Sequence, residues 1–221
     1  MEHAVHLKNS EALNHNVVRL TLDRPAGYAF TAGQAIDFKL PRPGLEEKVS
    51  AFTFTGLATD PHLELTIKCY PEHHGITEQV ASLKAGDTVL ISDPFDTVAL
   101  KGPGVFIAGG TGVTPFIAVL RQLQVEKKLA GNALFHFNRT KADAFLVNEF
   151  SAMLGRDFHG VLSQEDAPGF LHGAVNADFL RTHIRDFQQP FYTCGPEGFV
   201  LAVKNALLEL GADAELIDVQ F

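Results

Sequence analysis

Three glycines in four residues, Gly109, Gly110 and Gly112 with Thr111 among them, close the apolar run Val105 to Ala108 and are followed, after Val113, by Thr114 and Pro115. A short apolar run bounded by turn residues reads as a fully buried parallel strand. The glycines let backbone approach a charged ligand closely, Thr114 suits the cap of a following helix, and Pro115 suits its first position. Free N–H groups at such a helix start attract anions. Gly110, Thr111, Gly112, Thr114 and Pro115 are therefore read as a phosphate cradle. The alternative is a plain turn, because Pro115 replaces the last glycine of the dinucleotide fingerprint G-x-G-x-x-G. A second step of the same kind, Phe191 to Cys194 and then Gly195-Pro196 opening a helix, puts a thiol at the carboxyl edge of a sheet, where open α/β folds bind ligands. Cys69 has no such context and is read as a buried small hydrophobe.

These turns need elements to hold them. In the first hundred residues, Val17 to Leu22, Ala35 to Leu40, Ala51 to Thr55, Leu63 to Lys68 and Thr88 to Ser92 are short runs rich in Val, Ile, Phe and Thr, separated by Pro, Gly and Asp. Their close spacing predicts a small antiparallel barrel, interrupted by one helix over Ile76 to Leu83. The rhythm changes at Lys101-Gly102-Pro103-Gly104, which divides the chain into domains 1–100 and 101–221. Strands at Val105–Ala108, Ala133–Phe137, Phe158–Leu162, Phe191–Cys194 and Leu216–Val219 then alternate with helices over Thr114 to Lys127, Ala142–Met153, Asn176–His183 and Gly198–Leu210. Such alternation predicts an α/β doubly wound parallel sheet.

With 46% hydrophobic and 20% charged residues the chain has the composition of a globular protein with ample core. A formal net charge of −8 without any Lys/Arg cluster argues against nucleic-acid binding. No apolar run is long enough for a membrane span. Two cysteines and an N-terminus without a signal-peptide pattern place the expected compartment in the cytoplasm, and they are too few for a four-cysteine iron–sulfur centre. The ten histidines, His73-His74 included, show no metal-ligand spacing and are read as surface residues.

Barrel first, glycine turn second, the chain resembles the ferredoxin–NADP reductase family over nearly its whole length. SAFTFTG (Ser50 to Gly56) resembles the family's flavin strand, and GITEQVASLKAGDTVLISDPFD (Gly75 to Asp96) its pyrophosphate helix, strand and G-P-[FY]-G turn. GGTGVTPF resembles the nicotinamide–pyrophosphate turn, YTCGPEGF (Tyr192 to Phe199) the C-G-P-x-x-[FM] signature, and FHFNRTKADAF (Phe135 to Phe145) the adenosine-side strand and loop. The sharper likeness is to stand-alone bacterial flavodoxin or ferredoxin reductases.

The resemblance implies an NAD(P)H-dependent flavoprotein reductase using FAD, with FMN the lesser expectation, and passing electrons to flavodoxin, ferredoxin or a small-molecule acceptor. It places flavin at Ser50, Phe52, Thr53, Gly75, Ile76 and Thr77, with Phe52 on the ring and the Thr53 hydroxyl near the reactive nitrogen. Cys194, with Gly195 and Pro196, falls at the nicotinamide, and Asn138 and Arg139 at the adenosine ribose. Two departures stand out. Ser50 occupies the place of the family's arginine, with Lys48 two residues earlier on the same strand face as the expected substitute cation. Ser92-Asp93-Pro94-Phe95-Asp96 loses two glycines and gains acids. Both departures favour the alternative of a non-autonomous electron-delivery or regulatory subunit. Phe221 is compared with the ring-shielding tyrosine that ends plant-type members. Arg139 and Lys141 precede the first acid, Asp143, so NADPH is expected ahead of NADH. Lys39, Arg42 and Lys48 are the expected basic patch for an acidic carrier.

Overall fold

The computed structural model describes residues 1–220 apart from the His73 side chain, so the readings made of Phe221 and of His73 fall outside the described residues. The chain forms two compact units, one of Met1–Thr97 with Thr114–Gln122, the other of the remaining described residues.

In the first unit, β1 (Glu2–Ala12), β2 (Val17–Leu22), β3 (Gln34–Lys39), β4 (Ser50–Thr53), β5 (Leu63–Lys68), β6 (Thr88–Ser92) and β7 (Phe95–Asp96) form one sheet in the order β4-β3-β6-β1-β2-β5, with β7 beside β3. Every pairing is antiparallel. Phe54, just past β4, bridges Leu65 of β5, so the two ends of the sheet meet and the barrel is nearly closed. Its inward residues, Leu20, Ile36, Phe38, Phe54, Leu63 and Ile91 among them, are fully buried. Within residues 1–97 the α-helix is α1 (Ile76–Val80), shorter than the Ile76–Leu83 expected, and a 3-10 turn over Pro71–His73 precedes it. β1 is the longest of the strands that the sequence pattern does not show. Only Val5 and Leu7 point inward along it, too few for alternation to register. Arg121 belongs to this unit, donating to the Thr55 carbonyl at 2.7 Å and to Glu64 Oε1 at 2.6 Å.

The second unit carries β8 (Val105–Gly109), β9 (Ala133–Asn138), β10 (Phe158–Leu162), β11 (Leu171–His172), β12 (Phe191–Cys194) and β13 (Ile217–Gln220), all parallel, in the order β11-β10-β9-β8-β12-β13. The helices in this half of the sequence are α2 (Thr114–Val125), α3 (Val147–Leu154), α4 (Ala177–His183) and α5 (Glu197–Glu209). Strands β9 and β10 step away from β8 on one side while β12 and β13 lie on the other. The strand order therefore reverses between β8 and β12, the place where doubly wound sheets open a ligand crevice. Tyr192 ties the start of the unit down, its hydroxyl donating to the Gly102 carbonyl at 2.7 Å and accepting from the Lys101 amide at 2.8 Å.

Candidate functional site

At the reversal point the exits of β8 and β12 are pressed together. A Cβ on Gly112 would stand 2.3 Å from the Cys194 carbonyl oxygen and 2.6 Å from Gly195 Cα. Gly195 closes from the other side, its own Cβ position lying 3.2 Å from Gly109 Cα. The glycine turn is a 3-10 turn, Gly110–Val113, that runs straight into α2. Thr114 is thus the first residue of α2 and Pro115 the second, one place later than the cap and first position expected. Pro115 still costs no hydrogen bond there, because the first four amides of a helix have no intrahelical acceptor.

Cys194 ends its strand 9% exposed, and Pro196 is the N-cap of α5. Burial pushes the thiol up to about 11, so at neutral pH Cys194 is a protonated packing group and not a thiolate nucleophile.

At the exits of β9 and β10, the Gln164 amide donates to the Arg139 carbonyl at 2.9 Å, and the Lys141 amide donates to Glu165 Oε2 at 2.8 Å. Arg139 and Lys141 expose their side chains, whereas Asn138 is buried with Oδ1 lacking a hydrogen-bond partner among the described residues. Asp143 is turned back onto Thr140 in a capping box. Glu165, 24 positions beyond Lys141, is the acid that the sequence order conceals.

His136 corrects the reading of all ten histidines as surface residues. It is 0% exposed on β9, its Nε2 lies 2.9 Å from the Gly110 carbonyl, and its ring stands edge-on to Phe145 and Phe150. An apolar strand leaves a side chain no choice of face, and the turn carbonyl supplies the partner that makes burial tolerable.

In the barrel, Ser50 and Phe52 share one face of β4 and Ala51 and Thr53 the other. Phe52 is part-buried against the core, edge-on to Phe38 at 5.4 Å. Thr53 Oγ1 is buried with no hydrogen-bond partner among the described residues. Such a hydroxyl costs about 1–3 kcal/mol until something bonds to it, as expected of a group shaped for a polar ligand. Lys48 is not on the strand as expected. It follows a turn in which its amide donates to the Leu45 carbonyl, and its Nζ donates to the His74 carbonyl at 2.6 Å. That contact carries the cation to the residue preceding Gly75, the uncapped extended N-cap of α1, with Ile76 buried and Thr77 part-exposed beyond it. Asp93 is drawn aside by His3 Nε2 at 2.8 Å, with the Met1 amino group at 2.6 Å, and both hold its carboxyl below the usual range. The acidity noted in the Ser92–Asp96 turn is therefore partly neutralised.

Residues 106–205, β8 to α5, match the oxidoreductase NAD-binding domain. Over 90% of its length the chain is 30% identical to the reductase component of propane 2-monooxygenase from Rhodococcus jostii. By sequence, then, residues 106–205 carry an oxidoreductase NAD-binding domain. The chain is also 29% identical, over 94% of its length, to one of the subunits of the Na(+)-translocating NADH-quinone reductase of Shewanella denitrificans, and it spans 57% of each of these two relatives. Among solved structures, a ferredoxin NADP+ reductase from Neisseria gonorrhoeae with bound FAD and NADP superposes with a TM-score of 0.88, at 17% identity and covering 99% of this chain and 98% of that one. The flavohem-like FAD/NAD-binding domain of nitric oxide dioxygenase from Vibrio cholerae does so at 0.86, at 21% identity and 98% and 97% coverage. These two likenesses show the fold of the barrel and of the parallel sheet. No helix among the described residues is long and apolar enough to cross a membrane.

Proposed function

We propose that this chain is an NAD(P)H-dependent flavoprotein reductase that binds FAD on the barrel and a nicotinamide dinucleotide on the parallel-sheet unit. The supporting observation is the Gly112 contact with the Cys194–Gly195 backbone at the strand-order reversal, which builds an anion-sized turn where the fold binds ligands. Bound flavin would supply the chemistry, taking two electrons from the nicotinamide and releasing them singly. The chain's own residues bind and orient. Lys48, Ser50, Phe52, Thr53, Gly75, Ile76 and Thr77 are proposed to hold the flavin. Gly110, Thr111, Gly112, Thr114 and Pro115 would hold the dinucleotide pyrophosphate, and Asn138 and Arg139 its adenosine end. Cys194, flanked by Gly195 and Pro196, and Thr53 are the groups proposed to touch the reacting rings. Positioning of this kind is worth orders of magnitude in rate.

The acceptor proposed is a small one-electron carrier such as a flavodoxin or ferredoxin. Lys39 is paired with Glu2 at 2.9 Å and Arg42 with Asp87 at 3.0 Å, so the basic patch read from the sequence has little net charge to steer an acidic carrier. A second reading, an electron-delivery component that works only with partners, is favoured by Ser50 standing where the resembled family carries its arginine. One spectrum separates the readings. Purified protein is expected to be yellow and to bleach anaerobically when NAD(P)H is added. A yellow protein that does not bleach supports the dependent component, and a colourless one that takes up no added FAD overturns flavin binding.

For the dinucleotide, exposed Arg139 and Lys141 attract a 2′-phosphate, while Glu165 beside them suits a 2′-hydroxyl. The chain is therefore proposed to use both cofactors, with NADPH favoured through Arg139. Arg139→Glu is expected to lower kcat/KM for NADPH about tenfold more than for NADH, since it removes an attraction and adds a repulsion worth roughly 1–2 kcal/mol at a screened surface. Equal losses with both cofactors would show that Arg139 does not face the phosphate.

A further inference from the structure

The glycine turn is held from behind. His136 Nε2 lies 2.9 Å from the Gly110 carbonyl, and a carbonyl can only accept, so Nε2 carries the proton and donates. Nδ1 of the same ring is buried without a partner among the described residues, as suits the bare nitrogen of this neutral tautomer. Phe145 and Phe150 stand edge-on to the ring at 5.4 and 5.9 Å, and the residue is fully buried. Gly110 itself sits at φ +55, a conformation only glycine adopts without strain, so the turn does not hold its shape through side-chain sterics of its own.

We infer that His136 is a positioning residue for dinucleotide binding: by fixing the Gly110 carbonyl it aims the Thr111 amide of the anion-binding turn. The link is the planar trans peptide, in which C=O and N–H point in opposite directions. Once the Gly110 oxygen is tied to His136 on the β9 side, the Thr111 N–H of that peptide points away from β9. An amide opening a helical turn has no intrahelical acceptor, so it is available to an anionic oxygen. Without the imidazole donor the Gly110–Thr111 peptide is held by the 3-10 turn alone, and an anion must then complete its ordering on binding. This inference rests on the dinucleotide reading above and deepens it.

Glutamine and asparagine at this position separate the geometry from the chemistry. The side-chain amide nitrogen of glutamine reaches about as far as imidazole Nε2, whereas that of asparagine stops near the place of Nδ1. Titration calorimetry of the full chain, flavin-loaded, with NAD+ and NADP+ should show His136→Gln binding within about threefold of the wild type and His136→Asn about tenfold weaker, the worth of one hydrogen bond. In steady-state assays the His136→Asn variant should raise KM for NAD(P)H more than it lowers kcat, with flavin content unchanged. If His136→Asn binds as tightly as the wild type, or if both variants lose affinity equally and only in step with thermal stability, His136 is a packing residue and the inference is wrong. Should His136→Asn fail to fold, His136→Leu supplies the donorless comparison under the same criteria. If wild-type protein binds neither dinucleotide, the functional reading itself fails and the inference with it, an outcome distinct from a wild type that binds and variants that do not differ.

Discussion

Gly112→Ala is expected to cut kcat/KM for NAD(P)H about a hundredfold or more while leaving flavin content unchanged. The methyl group would enter a space already filled by main chain, 2.3 Å from the Cys194 oxygen, 2.5 Å from its carbonyl carbon and 2.6 Å from Gly195 Cα. No rotamer relieves a clash with backbone, and interiors at this packing density do not compress, so the two turns must part by on the order of 1 Å. A displacement of that size at a reacting centre costs about two orders of magnitude in rate. Gly110→Ala is the internal comparison. Nothing lies within 4 Å of its Cβ position, and the penalty is the φ of +55 alone, about 1 kcal/mol, which amounts to a several-fold loss. Steady-state kinetics on both variants, with flavin absorbance as the control, decides the point. Equal losses, or wild-type kinetics for Gly112→Ala, would show that the approach of the two turns is not what dinucleotide use depends on.

The two turns that make this contact were legible in the sequence because each is local, whereas their approach to one another is not. GGTG after VFIA and CGPEG after FYT each place strand, glycine and helix within a dozen residues, and the alternation of apolar runs with helical segments carries the parallel sheet. What the sequence did not yield depends on distant partners. His136 reads as one more polar residue until the Gly110 carbonyl, 26 positions earlier, is seen to accept from it. Glu165 joins the Arg139–Lys141 loop only because β9 and β10 are neighbours in the sheet. The helix expected over Ala142–Met153 begins only at Val147. Thr140 and Asp143 close a capping box, Leu146 turns to φ +55, and Phe145 between them is buried against His136. There tertiary packing of one aromatic overrides helix propensity. Strands β7 and β11, two residues each, are too short to carry any period.

Acid is expected to destabilise the second unit through His136, and the sign follows from its burial. Loss of hydration, only partly offset by the bond to Gly110, lowers the imidazole to about 4, against about 6.5 in an unfolded chain. Above about pH 6.5 both states are neutral at this ring and the full stability is present. As pH falls from about 6.5 towards 4 the unfolded state takes up a proton that the folded state refuses, so stability is lost through that window and levels off below it. A difference of about two and a half units corresponds to about 3 kcal/mol, a large part of a typical domain's roughly 5–15 kcal/mol. His159, lowered by burial and by the charge of His183, adds a loss of the same sign. Carboxylates titrate in the same range, so the test is a difference. Urea unfolding of wild type and His136→Gln, followed by circular dichroism at about pH 7.5 and about pH 4.5, should show the wild type losing about 2–3 kcal/mol more than the variant on acidification. Parallel losses in the two proteins would mean that His136 takes up its proton while folded, and that the core around the glycine turn admits water.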